Sequence, residues 1–221
     1  MSSSARILTA SDRALLVVFD DAITEQAGRD VRVLESWLRE EPVPALVDLN
    51  PAYASLLVRF DPLRCDPDAL AFELARRAGR LAGRVEPGAR SFTIPVVYGG
   101  EDGLDLPEVA RAIGFSEDEV VAAHSGSPYE VRFIGFAPGF PYLAGLPDAL
   151  RTPRRGTPRA RVAAGSVAIA GAQAGIYPVA SPAGWNVIGR TSFVLFGHAP
   201  GEGATLAAGD RVRFLPVDRL P

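Results

Sequence analysis

The chain has 221 residues, 48% hydrophobic and 22% charged, with 22 glycines, 19 prolines and a formal net charge of −3. These proportions exclude a disordered or fibrous chain, and the slightly acidic balance gives no field that would draw in nucleic acid or an anionic membrane. All 23 basic side chains are arginine, so a Walker A lysine, a Schiff-base lysine and a lysine general base are excluded together.

Cys65 is the single cysteine, which rules out an intrachain disulfide and a cysteine zinc cluster and suits a reducing compartment. The histidines are His124 and His198, too few for a His-rich metal site, and no metal is expected. No signal-peptide core or run of about 20 apolar residues is present, so a soluble, cytoplasmic protein is expected. The length allows one large or two small domains.

In chain order, residues 14–19 (ALLVVF) form an apolar run bounded by charge, as in a buried strand. Over residues 23–38, Ala27, Val31, Leu34 and Leu38 recur at helical spacing, and Pro42 and Pro44 stop the pattern. Residues 45–49 and 55–60 read as strands around the turn Asn50-Pro51-Ala52-Tyr53. Asp66-Pro67 then offers an N-cap and an N1 proline to a helix with Leu70, Leu74 and Ala78 on one face. Strand, helix, strand, strand, helix is most of a split βαβ unit, so an α+β ferredoxin-like domain is expected over residues 1–84.

Residues 79–90 (GRLAGRVEPGAR) lack apolar periodicity and read as a linker. Beyond it, residues 92–97 read as a strand, and the pairs Asp105/Glu108 and Ser116/Glu119 as capping boxes opening two short helices. From Val131 on, the pieces VRFIGF, VAIA, NVIG, SFVLF and RVRFL alternate with Gly/Pro turns, which predicts a mainly-β barrel or sandwich over residues 91–221.

Three stretches carry candidate chemistry. The segment 133–146, FIGFAPGFPYLAGL, sets Phe136 and Phe140 among glycines, which lets backbone and rings close on a ligand or fill a tight barrel corner. The run 151–161, RTPRRGTPRAR, gathers five arginines, Arg154 among them, whose guanidinium forks suit carboxylate or phosphate oxygens or an acidic partner surface. Downstream, Gln173, Tyr177, Trp185, Asn186 and Arg190 offer donors that could hold a ligand carbonyl or stabilise an oxyanion, though small residues there also suit strongly bent strands. His124, at the end of a predicted helix, is the acid–base candidate, and a histidine there also complements the helix dipole. His198 is a weaker candidate in a polar turn.

In this order, YGGEDG (98–103), His124-Ser125, FIGFAPGFPYLAGLP, TPR (152–154), AGSVAIAG (164–171), GIYP (175–178) and GWNVIGRT (184–191) closely resemble the B-subunit family of the bacterial ATP-dependent 5-oxoprolinases. That family has also been called allophanate hydrolase subunit 1, and it includes a sporulation-kinase inhibitor and part of the carboxyltransferase region of urea carboxylase. RALLVVF and NPAYASLLVRFDP extend the resemblance over nearly the whole chain. Ala163, Ala172 and Ala183 depart from it, where the family has proline, glycine and glycine.

The resemblance implies a cyclophilin-like barrel after the α+β domain. It also implies work with a larger homologous C subunit and with an A subunit on a small-molecule substrate: the lactam of 5-oxoproline is opened to glutamate at the expense of ATP. In that setting His124 and Arg154 are the catalytic candidates, and Phe136, Phe140, Gln173, Tyr177, Trp185, Asn186 and Arg190 the substrate- or nucleotide-binding ones. Two other activities are implied more weakly: a regulatory module that inhibits a sensor histidine kinase, and part of an allophanate hydrolase.

Overall fold

The computed structural model describes residues 5–197, 199 and 202–220, and its contacts divide the chain into two units, residues 1–88 and 89–221. His198 lies outside the described residues.

The first unit opens with an antiparallel hairpin of β1 (Arg6–Ser11) and β2 (Ala14–Val18). Helix α1 (Glu25–Glu40) follows, with Thr24 as N-cap accepting from the Ala27 N–H at 3.2 Å, and the predicted stripe of Ala27, Val31, Leu34 and Leu38 is buried. The hairpin of β3 (Leu46–Pro51) and β4 (Ser55–Phe60) leads to α2 (Pro67–Ala78), capped by Asp66 as its sequence requires. The sheet order is β1-β2-β4-β3, with the two helices packed on the face that carries Leu15, Val17, Leu56, Val58 and Phe60. Each fully buried side chain of this kind contributes about 1.5–3 kcal/mol. The sheet therefore has four strands, but the strand beside β2 comes first in the chain rather than after the second helix. Five of the six β1 residues are exposed, which left no buried stripe for the sequence to reveal.

The second unit is built on a closed barrel. In chain order its elements are β5 (Ser91–Tyr98), α3 (Leu106–Ile113), α4 (Glu117–Ser125), β6 (Tyr129–Ile134), β7 (Pro141–Ala144), β8 (Arg159–Val162), β9 (Ser166–Ala170), β10 (Gln173–Ile176), β11 (Ser181–Ala183), β12 (Asn186–Arg190) and β13 (Arg211–Pro216). The barrel order is β10-β7-β6-β13-β5-β12-β9, with β9 pairing back onto β10. The first and last strands of the unit, β5 and β13, pair in parallel, so the ends of the unit hold each other. Pro95 is tolerated in β5 because β12 reaches only Val97 and Tyr98 on that side. Ile94, Val96, Val131, Leu143, Ile169, Ile176, Ile188 and Phe214 fill the interior, and α3 and α4 add Leu106, Val109 and Val120.

Two sequence expectations change here. Ser116 and Glu119 do form a reciprocal capping box, but Asp105 makes no side-chain cap bond to α3. The run SFVLF (192–196) forms no strand and makes only an isolated bridge, Phe196 to Ala204. Among the described residues no helix is long and apolar enough to cross a membrane.

Candidate functional site

The connection from β6 to β7 is the residue run 135–140, turned by Phe136 (φ 65°) and Gly139 (φ 84°). Left-handed backbone at a phenylalanine costs about 1–2 kcal/mol and is kept only where the surroundings impose it. Here Gly135 donates to the Phe140 carbonyl at 3.0 Å and Phe140 to the Ala137 carbonyl at 3.0 Å, which pins the turn and leaves the Phe136 ring 62% exposed.

That ring meets Phe140 edge-on at 5.4 Å and Tyr177 at 6.1 Å, while Phe140 touches Tyr142, Tyr177 and Trp185 in the same way at 5.0, 5.1 and 5.6 Å. Edge-to-face pairs of this sort add about 0.5–1.5 kcal/mol beyond their burial. Gly175 of β10 makes the cluster possible, since a Cβ there would stand 2.7 Å from Phe140 Cζ and 3.0 Å from Trp185 Cζ3. The rings wall a cavity of about 230 Å³, completed by Pro158, Gly184, Arg154 and Arg155. Burial pushes the Tyr177 hydroxyl up to about 12, with Tyr142 acting in the same direction and the Arg154 charge against it, so it is a neutral donor at neutral pH.

The arginine run divides by partner. Arg151 pairs with Asp148 at 2.6 Å. Arg159 forks onto both oxygens of Asp105 at 2.6 and 2.8 Å, and Arg155 pairs with the same carboxylate. Asp105 is 1% exposed and also accepts the Val187 N–H at 2.8 Å, so it ties the run to α3 and β12. Arg154, exposed at the rim of the aromatic cavity, has no carboxylate partner among the described residues. A second cavity of about 230 Å³ adjoins, sharing Arg154 and Arg155 and lined further by Glu108, Thr152 and Asn186. The Asn186 Nδ2 donates to Thr152 Oγ1 at 3.2 Å and to the Pro153 carbonyl at 2.9 Å, which fixes the start of the arginine run.

Of the residues singled out from sequence, Phe136, Phe140, Tyr177, Trp185 and Arg154 come together at the first cavity, and Asn186 lines the second. Gln173 sits half-buried at the start of β10, and Arg190 is exposed 3.4 Å from Asp102; neither lines these cavities. The sequence places Tyr142 in the aromatic segment and Arg155 in the arginine run without singling either out as a site residue, and it marks Asp105 only as a helix cap. Tyr142 follows Phe140 by two residues, a spacing that signals a shared strand face, whereas nothing local marks Asp105 as the anchor of arginines 50 and 54 residues away.

His124 lies elsewhere, which corrects its reading as the acid–base candidate of this site. It is fully buried in the barrel core, its ring stacked on Phe214 at 4.6 Å and its Nδ1 hydrogen-bonded with the Tyr98 hydroxyl at 2.8 Å. An imidazole shut away from water and ligand has no route for exchanging protons. Burial lowers its pKa to about 3. The unfolded chain, with a pKa near 6.5, then binds the proton first, so stability is complete above pH 6.5 and is lost as the pH falls towards 3. Between pH 6.5 and 5 this amounts to about 2 kcal/mol. Denaturant unfolding at pH 7 and 5 should show this loss in the wild type and its absence in His124→Gln; equal pH dependence of both proteins would contradict it.

The carboxyltransferase domain family, subdomains C and D, matches residues 5–206. The chain belongs to this family. As a carboxyltransferase-domain protein it is 40% identical to the 5-oxoprolinase B subunit of Escherichia coli O157:H7, with 96% of each chain covered. It is 35% identical to the 5-oxoprolinase B subunit of Bacillus subtilis (strain 168), over 98% of this chain and 95% of the relative. The crystal structure of TTHA0988 matches it with a TM-score of 0.80 at 40% identity over 94% of this chain, which spans 40% of that longer chain. The motif resemblance to 5-oxoprolinase B subunits is thus borne out along the length of this carboxyltransferase-domain chain.

Proposed function

We propose that the chain is the B-type subunit of an ATP-dependent 5-oxoprolinase, inactive alone and assembled in the cytoplasm with a larger, barrel-bearing C subunit and an A subunit. Near-complete coverage of relatives named as 5-oxoprolinase B subunits supports this reading. The geometric observation that carries it is a rim arginine, Arg154, with no carboxylate partner among the described residues, beside a small aromatic cavity, as a small anionic substrate requires. In the same reading, the first unit is a ferredoxin-like variant whose fourth strand is supplied by β1, and the second is a cyclophilin-like barrel.

Amide resonance makes the lactam carbonyl a poor electrophile, so water does not open the ring unaided. A phosphoryl group from ATP bound in the complex would go to the lactam oxygen and make the ring carbon electrophilic. Water then adds there, the ring C–N bond breaks with the nitrogen leaving as a protonated amine, and a second water releases the phosphate. In this chain, the aromatic rings exclude water around the substrate, Arg154 holds anionic oxygen, and the neutral Tyr177 hydroxyl is a hydrogen-bond donor. The two cavities, about 230 Å³ each, fall below the roughly 300–1,000 Å³ that larger ligands occupy, and the chain has no lysine for triphosphate binding. We therefore place the nucleotide on the partner subunits.

Co-expression with the neighbouring C subunit followed by size-exclusion chromatography should give one heteromeric species, and addition of the A subunit should give ATP-dependent glutamate release from 5-oxoproline. Separate monomer peaks, or an assembled complex that releases no glutamate, would overturn the assignment.

A further inference from the structure

We infer that the aromatic cavity holds the ring of a small cyclic amide carrying a carboxylate, and that Arg154, where the two cavities meet, grips the carboxylate. This rests on the 5-oxoprolinase reading and adds to it which polypeptide of the complex holds the substrate, where, and through which group.

The charges around the cavity single out Arg154. Arg155 and Arg159 share Asp105, Arg155 also reaching Glu108 at 3.3 Å, and Arg151 pairs with Asp148, so each of these charges already has a protein carboxylate. Arg154 alone among these four has no carboxylate partner among the described residues; it lines both cavities, as does Arg155, whose Nε has no hydrogen-bond partner but whose charge is met by Asp105. A guanidinium at the mouth of an apolar box attracts an anion that the box itself would reject, and a bidentate carboxylate fixes the attached ring in one orientation.

The box selects the rest of the ligand. Phe136, Phe140, Tyr142, Tyr177 and Trp185 offer ring faces and edges, no carboxylate lines the box, and about 230 Å³ suits a five- or six-membered ring. Within the aromatic cavity an ammonium group would lie beside Arg154 with no carboxylate in the lining, Glu108 facing the second cavity, so an open-chain amino acid is disfavoured there relative to a lactam, whose nitrogen is neutral. The product of ring opening acquires that ammonium, and the same site therefore releases it.

The strained Phe136 has a place in this scheme. Its ring is the one exposed member of the box, held over Phe140 and Tyr177 by a left-handed backbone that only the surrounding turn stabilises. A side chain held in such a conformation at a cavity mouth is positioned to cover a bound ring.

The test uses the full chain and, separately, the reconstituted complex. Titration of the ¹⁵N-labelled chain with 5-oxoproline should shift the indole signal of Trp185 and leave that of Trp37 in place. Calorimetry should show 2-pyrrolidinone, which lacks the carboxylate, binding about 30-fold or more weaker than 5-oxoproline. Arg154→Ala should weaken 5-oxoproline by a similar factor and leave 2-pyrrolidinone unchanged, while Phe136→Gly, which keeps the backbone conformation and removes the ring, should weaken both. In the complex, Arg154→Ala should raise the KM for 5-oxoproline and not that for ATP.

No shift of Trp185 at saturating 5-oxoproline, equal weakening of both probes by Arg154→Ala, or displacement of 5-oxoproline by ATP would overturn the inference. If the complex turns over while any of these results is found, the substrate site lies on one of the partners and the proposed function stands. If the complex releases no glutamate at all, the proposed function itself fails.

Discussion

Replacing Asp105 by alanine is expected to lower the melting temperature by about 6–20 °C. Removing one partner of a buried ion pair costs roughly 3–5 kcal/mol, and in a protein of this size each kcal/mol moves the melting temperature by about 2–4 °C. The mechanism is specific: one carboxylate, 1% exposed, serves Arg155, Arg159 and the Val187 N–H. Alanine leaves the Val187 N–H buried without an acceptor and Arg159 without a counter-charge, while Arg155 keeps only its longer contact to the exposed Glu108 at 3.3 Å. Asp105→Asn, which retains an acceptor for Val187, should recover part of the loss. Thermal unfolding of the three proteins checks this, and a shift of less than about 2 °C for Asp105→Ala would show that the arginines find other partners.

Asp105 also marks where sequence stops being informative. Followed by a proline two residues later and Glu108 three residues later, it reads as a helix cap, and the periodicity of α3 is consistent with that. In the folded chain the carboxylate serves arginines 50 and 54 residues away, and such pairing is invisible until the barrel has closed. Ser116 shows the contrast: its box with Glu119 is completed within four residues, so the local pattern is sufficient.

The same distinction explains the strands. The buried stretches in β2 and β9 are legible because nearly all their own residues are apolar, and those in β4 and β12 because a short apolar core, LLV and VI, stands between polar residues. β1 is a mostly exposed edge, and β8 and β11 are short pieces that pair only with each other, so none of them carries a stripe of its own. Conversely, SFVLF has the composition of a strand but not the partners of one.

At the candidate site, Phe136, Phe140, Tyr177 and Trp185 are legible because glycines and prolines crowd around aromatics in a pattern that a plain core does not need. Gly175 gives the physical reason, since any larger residue would collide with Phe140 and Trp185. His124 is misleading for the opposite reason. A histidine in the last turn of a helix looks available from sequence, and only the tertiary packing of Phe214, Tyr98 and Tyr129 against it shows that it is enclosed.

The second large effect separates two arginines five residues apart. Arg154→Ala in the assembled complex is expected to lower kcat/KM for 5-oxoproline by about 30-fold to several thousand-fold, the range for losing a charged contact worth roughly 2–5 kcal/mol, with the melting temperature unchanged because Arg154 is exposed and has no carboxylate partner among the described residues. Arg159→Ala should do the reverse. It breaks a two-bond fork onto buried Asp105, so the melting temperature should fall by several degrees, while turnover of the protein that remains folded stays within a few-fold of wild type. The loss for Arg159→Ala should be smaller than for Asp105→Ala, because Arg155 continues to neutralise the carboxylate. Arg154→Lys distinguishes charge from shape: a lysine restores the charge but not the fork, and so should recover only part of the activity. Measuring both quantities on all three variants decides whether the arginine run is a site with one hook on a braced loop or a diffuse basic surface, since only the diffuse surface predicts equal losses for Arg154 and Arg159.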